Sequence, residues 1–149
     1  MGRVFERILV GCNGTPEAEH AVEVAIGLAA GIGAKMVLLG VAIPPSAEAQ
    51  AEGYALEDSV KVKQRLNEQL TRMADKAKAQ GVEILVEVVE GDPEKQLEKH
   101  ASEESADLIV VGHRHVSRLR HWLEHSTSEA LLHRAKTSLL VVHNPEKKK

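Results

Sequence analysis

The stretch "VEILVEVVEGDPEKQLEKHASEESADLIVVG", residues 82–112, decides the fold. Its two ends, "VEILVEVVEG" and "ADLIVVG", are apolar runs that read as strands. Between them Asp92 is placed to cap a helix, and Pro93 sits at its first position, where a missing N–H costs nothing. That helix is expected to end near Ser105. Strand, helix, strand is the repeating unit of an α/β protein with a parallel sheet. "LIVV" is apolar without a break, as expected when helices cover both faces. "VEILVEVVE" carries Glu83, Glu87 and Glu90 and tolerates water on one side, so it belongs at a sheet edge.

The same alternation runs outward in both directions. "VFERILVGC" reads as a first strand ending near Cys12. Thr15 then caps a helix with Pro16 at its first position, and Gly31 and Gly33 end it. Ala18, Ala21, Val22, Ala25, Leu28, Ala29 and Ile32 form its apolar stripe. "AKMVLLGVAI" is the second strand, followed by the polar connector "PPSAEAQAEGY". A long helix is expected from about Leu56 to Gln80, with Val62, Leu66, Leu70, Met73 and Ala77 on its buried side and Gly81 as its stop. Beyond Gly112, "STSE" at 126–129 is a capping box that opens a last helix ending near Ala135. "SLLVVH" is the fifth strand, and "NPEKKK" is a solvated tail.

Five strands alternating with four helices give an α/β sandwich around one parallel sheet, helices on both faces. With the acidic third strand at an edge, the simple strand order is 3-2-1-4-5. Ligands of such sheets bind beyond the carboxyl ends of the strands, where the order reverses. Here the reversal falls between strands one and four. The loops meeting there are "GCNGT" (11–15) and "GHRHVSRLRHWLEHS" (112–126). The fifth strand, Ser138, Leu139, Leu140, Val141 and Val142, is an apolar opposite edge that invites pairing. Its simplest relief is a second copy across a two-fold axis, so a homodimer is expected.

The 149 residues fit one domain, 1–149, with one sizeable core. A net charge of −3 gives no global basicity for nucleic acid. No apolar run reaches the roughly 20 residues of a membrane helix, and the start is too charged for a signal peptide. Cys12, the single cysteine, suits a reducing compartment, so a cytoplasmic protein is expected. It follows an apolar strand and reads as a buried small residue.

The loop after Gly112 is cationic. Arg114, Arg118 and Arg120, with His113, His115, His121 and His125, could hold an anion beside the N-terminus of the helix that Ser126 opens. The bland reading is a solvated basic loop. His113-x-His115 and His121-x₃-His125 lack a cysteine and any H-E-x-x-H motif, so no metal is expected. Trp122 and Leu123 are expected to tuck the loop onto the sheet, with a partner contact as the alternative for Trp122. His100, His133 and His143 show no partners and read as surface or strand-end residues. There is no G-x-S-x-G elbow, no P-loop, and no recognisable acid, base and nucleophile set, so no enzyme is expected.

These residues together resemble the universal stress protein family over nearly the whole chain. "RILVGCNGTPEAEHAV" is similar to the family's opening strand and loop, usually I-L-V-x-x-D-G-S. "VVEGDPEKQLEKHASEESADLIVVGHR" keeps its G-D-P and A-D-L-I-V-x-G signatures. The resemblance implies a five-stranded sandwich of order 3-2-1-4-5, of the Rossmann-like adenine nucleotide α-hydrolase type, and dimerisation through "SLLVVH". One branch binds ATP through G-x-x-G, nine residues, then G-[S/T]. By that spacing Gly112 holds the first glycine position, His115 the second, His125 the third and Ser126 the hydroxyl, with Val116 to Glu124 between. The resemblance also draws Gly11, Val111 and Thr127 into the candidate nucleotide site. An aspartate of that branch is here Asn13, and Val41 matches a backbone contact to the base. "GHRH" leans towards a second branch, which lacks the ATP motif.

The substitutions have physical consequences. Glycines in such a loop adopt positive φ and let backbone N–H groups reach phosphate oxygens. An imidazole at 115 or 125 is expected to occupy that space, or to swing away and change the loop. Asn13 loses the charge that helps hold a metal–phosphate complex. The expectation is therefore a homodimeric stress-response protein that does not bind ATP tightly and acts through an unnamed protein partner, with ATP or another nucleotide as the competing ligand reading and no certain cofactor.

Overall fold

The computed structural model describes residues 4–42, 56–112 and 137–143. In chain order they form β1 (Arg7–Cys12), α1 (Pro16–Ile32), β2 (Lys35–Ala42), α2 (Leu56–Ala79), β3 (Ile84–Glu90), α3 (Pro93–Glu103), β4 (Leu108–Gly112) and β5 (Ser138–Val142). The five strands pair in the order β3-β2-β1-β4-β5, and every pairing is parallel. The capping box at 126–129, the helix expected after it, and Trp122 and Leu123 lie outside the described residues.

Strand alternation sends side chains to two helical layers. Ile8, Val10, Met36, Leu38, Leu108 and Val110 share one cluster with Ala18, Ala21, Val22 and Ala25 of α1 and Leu66, Leu70 and Ala77 of α2. Leu9, Leu39, Val41, Ile109 and Val111 form the other with Leu97 and Ala101 of α3. The small side chains of α1 leave room for the helix to lie close to the strands. Gly40 does the same under α2, since a Cβ there would stand 2.6 Å from Leu70 Cδ1.

The helix ends follow their caps. Thr15 Oγ1 accepts from Ala18 N–H at 3.3 Å, Asp92 Oδ2 accepts from Lys95 N–H at 3.2 Å, and both caps precede a proline. Gly33, at φ 75°, closes α1 with its N–H on the Ala29 carbonyl at 2.8 Å.

Four details differ from the sequence reading. First, β1 starts at Arg7, three residues later than the apolar run suggests. The Asp107 carboxylate takes the Glu6 and Arg7 N–H groups at 2.9 and 3.1 Å and so fixes where pairing begins. Second, Ile26 belongs to the buried stripe of α1, whereas Leu28 and Ile32 are half-buried at its rim. Third, Val62 is 46% exposed, because α2 overhangs a cleft at that turn instead of the sheet. Fourth, His100 is buried on α3. Its Nδ1 lies 2.9 Å from the Gln96 carbonyl, and its Nε2 lies 3.4 Å from Oε1 of Glu87 on β3. That second contact is a close approach and not an aligned hydrogen bond, since Glu87 Oε1 accepts none. Glu87 therefore faces a histidine, while β3 remains an edge strand.

Candidate functional site

The β1–α1 loop leaves the carboxyl end of β1 beside the point where strand order reverses. Its shape comes from short-range hydrogen bonds. Asn13 Oδ1 accepts from the Thr15 N–H at 3.1 Å and from the Thr15 hydroxyl at 2.8 Å, an Asx turn that leads into the helix cap. Gly14 adopts φ 88°, a left-handed conformation open to glycine at no steric cost. Its carbonyl accepts from Gln69 Nε2 of α2 at 3.2 Å, and the same amide donates to the Glu19 carboxylate. Gln69 thus ties α2 to the loop.

A cleft of about 360 Å³ opens between this loop, the end of β2 and α2. It is lined by Asn13, Gly14, Val41, Ala42, Val62, Arg65, Leu66 and Gln69. A second cleft, about 390 Å³, lies at the amino ends of β2 and β3, beside Arg7, Lys35, Val37, Glu83, Leu85 and Glu104. There Lys35 sits 3.7 Å from Glu83, and Arg7 donates to the Glu104 carbonyl at 3.2 Å. The carboxyl-end cleft has the location that open parallel sheets use for ligands, and it is the candidate site.

Asn13 and Val41 are the sequence-derived site residues that line this cleft. Gly11 is turned to the other layer, where a Cβ would come within 3.1 Å of Leu97. Val111 is fully buried in the α3 layer. Gly112 lies against the first turn of α1, its absent Cβ 3.0 Å from the Glu17 carbonyl oxygen. His115, His125, Ser126, Thr127, Arg114, Arg118 and Arg120 lie outside the described residues.

Sequence reasoning missed Arg65 and Gln69. The available signal was their four-residue spacing beside Val62 and Leu66, which puts them on one helix face. Among the described residues, no group of three or more His, Cys, Asp or Glu side chains could hold a metal.

Cys12 sits under the loop, 3% exposed. Burial pushes its thiol up from 9.0 to about 11, partly offset by the Gly14 N–H directed at it, while Glu19 adds a small further rise. A thiol so placed is protonated near neutral pH and is a poor nucleophile, in line with the small buried residue expected.

A parallel sheet of this order, helices on both faces and a cleft beyond its carboxyl ends define a Rossmann-like α/β sandwich. The universal stress protein family model matches residues 5–143, and the chain belongs to that family. It is 30% identical over 142 residues to a universal stress protein of Mycobacterium tuberculosis, covering 93% of this chain and 97% of the relative. A universal stress protein of Methanocaldococcus jannaschii is 28% identical over 145 residues, 97% of this chain and 85% of its own. Among solved structures, a universal stress protein in complex with cAMP is 28% identical, with a TM-score of 0.63 over 93% of this chain and 97% of that one. No described helix is long and apolar enough to cross a membrane.

Proposed function

We propose that the chain is a non-catalytic, homodimeric stress-response protein that binds an adenine nucleotide carrying a single phosphate, does not hold ATP tightly, and acts in the cytoplasm through a protein partner. The observation that carries this reading is the cleft framed by Asn13, Val41 and α2, in a chain 28% identical to a relative solved with cAMP. A single phosphate does not need the glycine-rich loop that wraps a triphosphate. The sequence has histidine at 115 and 125, two of the glycine positions of the triphosphate motif.

Isothermal titration tests the ligand. cAMP is expected to bind more tightly than Mg²⁺–ATP, and Val62→Trp, which fills the cleft from an exposed helix position, is expected to weaken cAMP at least about tenfold, the loss of roughly one good contact. Tighter binding of Mg²⁺–ATP would favour the competing reading of a remodelled ATP loop.

The dimer part of the reading rests on β5. It ends the sheet, and Leu139, Leu140 and Val141 are only half-buried there. β3 carries acids at its own edge; β5 carries none. Light scattering is expected to give about twice the 16.2 kDa chain mass, and Leu140→Lys is expected to shift the equilibrium to monomer. A wild-type monomer at micromolar concentration would contradict this.

A further inference from the structure

Asn13 is where this chain departs from the aspartate of the ATP-binding branch, and its hydrogen bonds fix what it can offer a ligand. A backbone N–H only donates, so the side-chain atom facing the Thr15 N–H must be the amide oxygen. The Thr15 hydroxyl uses the same oxygen. With Oδ1 committed to the loop, the polar atom that Asn13 has left for the cleft is Nδ2, a donor.

A carboxylate in this seat would keep the Thr15 bonds with one oxygen and present the other. That second oxygen is a charged acceptor, suited to hydroxyl protons or a divalent cation. The asparagine reverses the sign of this wall. The other described residues of the cleft agree with the reversal: they include no carboxylate, and Arg65 carries their one formal charge. Glu19, the acid bound to Gln69, lines the separate groove between α1 and α2. Mg²⁺ is bound through one or two carboxylates together with substrate phosphates, and the described walls supply no such carboxylate.

We infer that Asn13 and Arg65 make the cleft a metal-free nucleotide site, Nδ2 donating to a phosphate or phosphoester oxygen and Arg65 balancing its charge. The inference rests on the nucleotide reading above and adds the form of the ligand: a nucleotide phosphate without a divalent cation.

The test is calorimetric titration of cAMP into wild type, Asn13→Asp and Arg65→Ala, each in EDTA and in MgCl₂. Wild type is expected to bind equally in both buffers. Asn13→Asp keeps the Thr15 bonds but loses the donor and adds a like charge, so its affinity in EDTA is expected to fall roughly ten- to a hundredfold, with part of the loss recovered in Mg²⁺. Arg65→Ala, on an exposed helix face away from the loop hydrogen bonds, is expected to bind more weakly in both buffers with an unchanged melting temperature. Asn13→Asp binding as tightly as wild type in EDTA, or wild type requiring Mg²⁺, overturns the inference and leaves the nucleotide reading standing. No cAMP binding by wild type in either buffer overturns both.

Discussion

Replacing Leu70 by alanine is expected to cost about 2–5 kcal/mol, the usual range for a fully buried leucine whose surroundings relax only in part. Leu70 is 0% exposed, in the cluster that joins α2 to the sheet, and its Cδ1 occupies the space that Gly40 leaves on β2. Against a typical total of about 5–15 kcal/mol, the loss is large. The effect is read from the midpoint of urea unfolding at constant slope. The same geometry predicts coupling. Gly40→Ala alone overpacks Leu70 at 2.6 Å and Leu66 at 3.0 Å, whereas the Leu70→Ala background removes the closer of the two contacts, so the double variant should be more stable than the sum of the single changes. Strict additivity would mean that α2 is not seated over Gly40 as described.

Gly112→Val is expected to cost about 1–3 kcal/mol in the ligand-free protein, the range for overpacking a close contact. A Cβ at 112 would lie 3.0 Å from the Glu17 carbonyl oxygen and 3.2 Å from its carbon, so a helix backbone, not a flexible side-chain tip, would have to move. This bears on function. Gly112 matches the first glycine of a nucleotide motif, yet the approach of α1 to β4 gives it a structural reason to be glycine without any ligand. If the glycine served only phosphate approach, Gly112→Val would leave the unfolding midpoint of the free protein unchanged.

Much of this was legible in the sequence because the deciding residues act locally. Thr15–Pro16 and Asp92–Pro93 define helix starts through the backbone they cap, whatever lies around them. Glu83, Glu87 and Glu90 placed β3 at an edge, and the strand order followed from that. What was not legible depends on where one element stops relative to another. Helical period puts Val62 on the same face as Leu66 and Leu70, but it does not reveal that the sheet ends before that turn is reached. The partners of His100 need the register between α3 and β3, since Glu87 is a neighbour only across strands. Arg65 and Gln69 line the cleft for the same reason as Val62. Asn13 was legible as a lost charge; its committed oxygen was not, because that rests on the turn of the Thr15 peptide towards it.

The cleft at the carboxyl ends of β1 and β2 is proposed to hold a nucleotide. Backbone amide chemical-shift mapping with cAMP in EDTA tests it most directly. A nucleotide in this cleft predicts saturable shifts concentrated at Asn13, Gly14, Val41 and Ala42, with Lys35, Glu83 and Leu85 of the amino-end cleft unmoved. Saturable shifts centred on Lys35, Glu83 and Leu85, or no saturable shifts at millimolar cAMP, would contradict it.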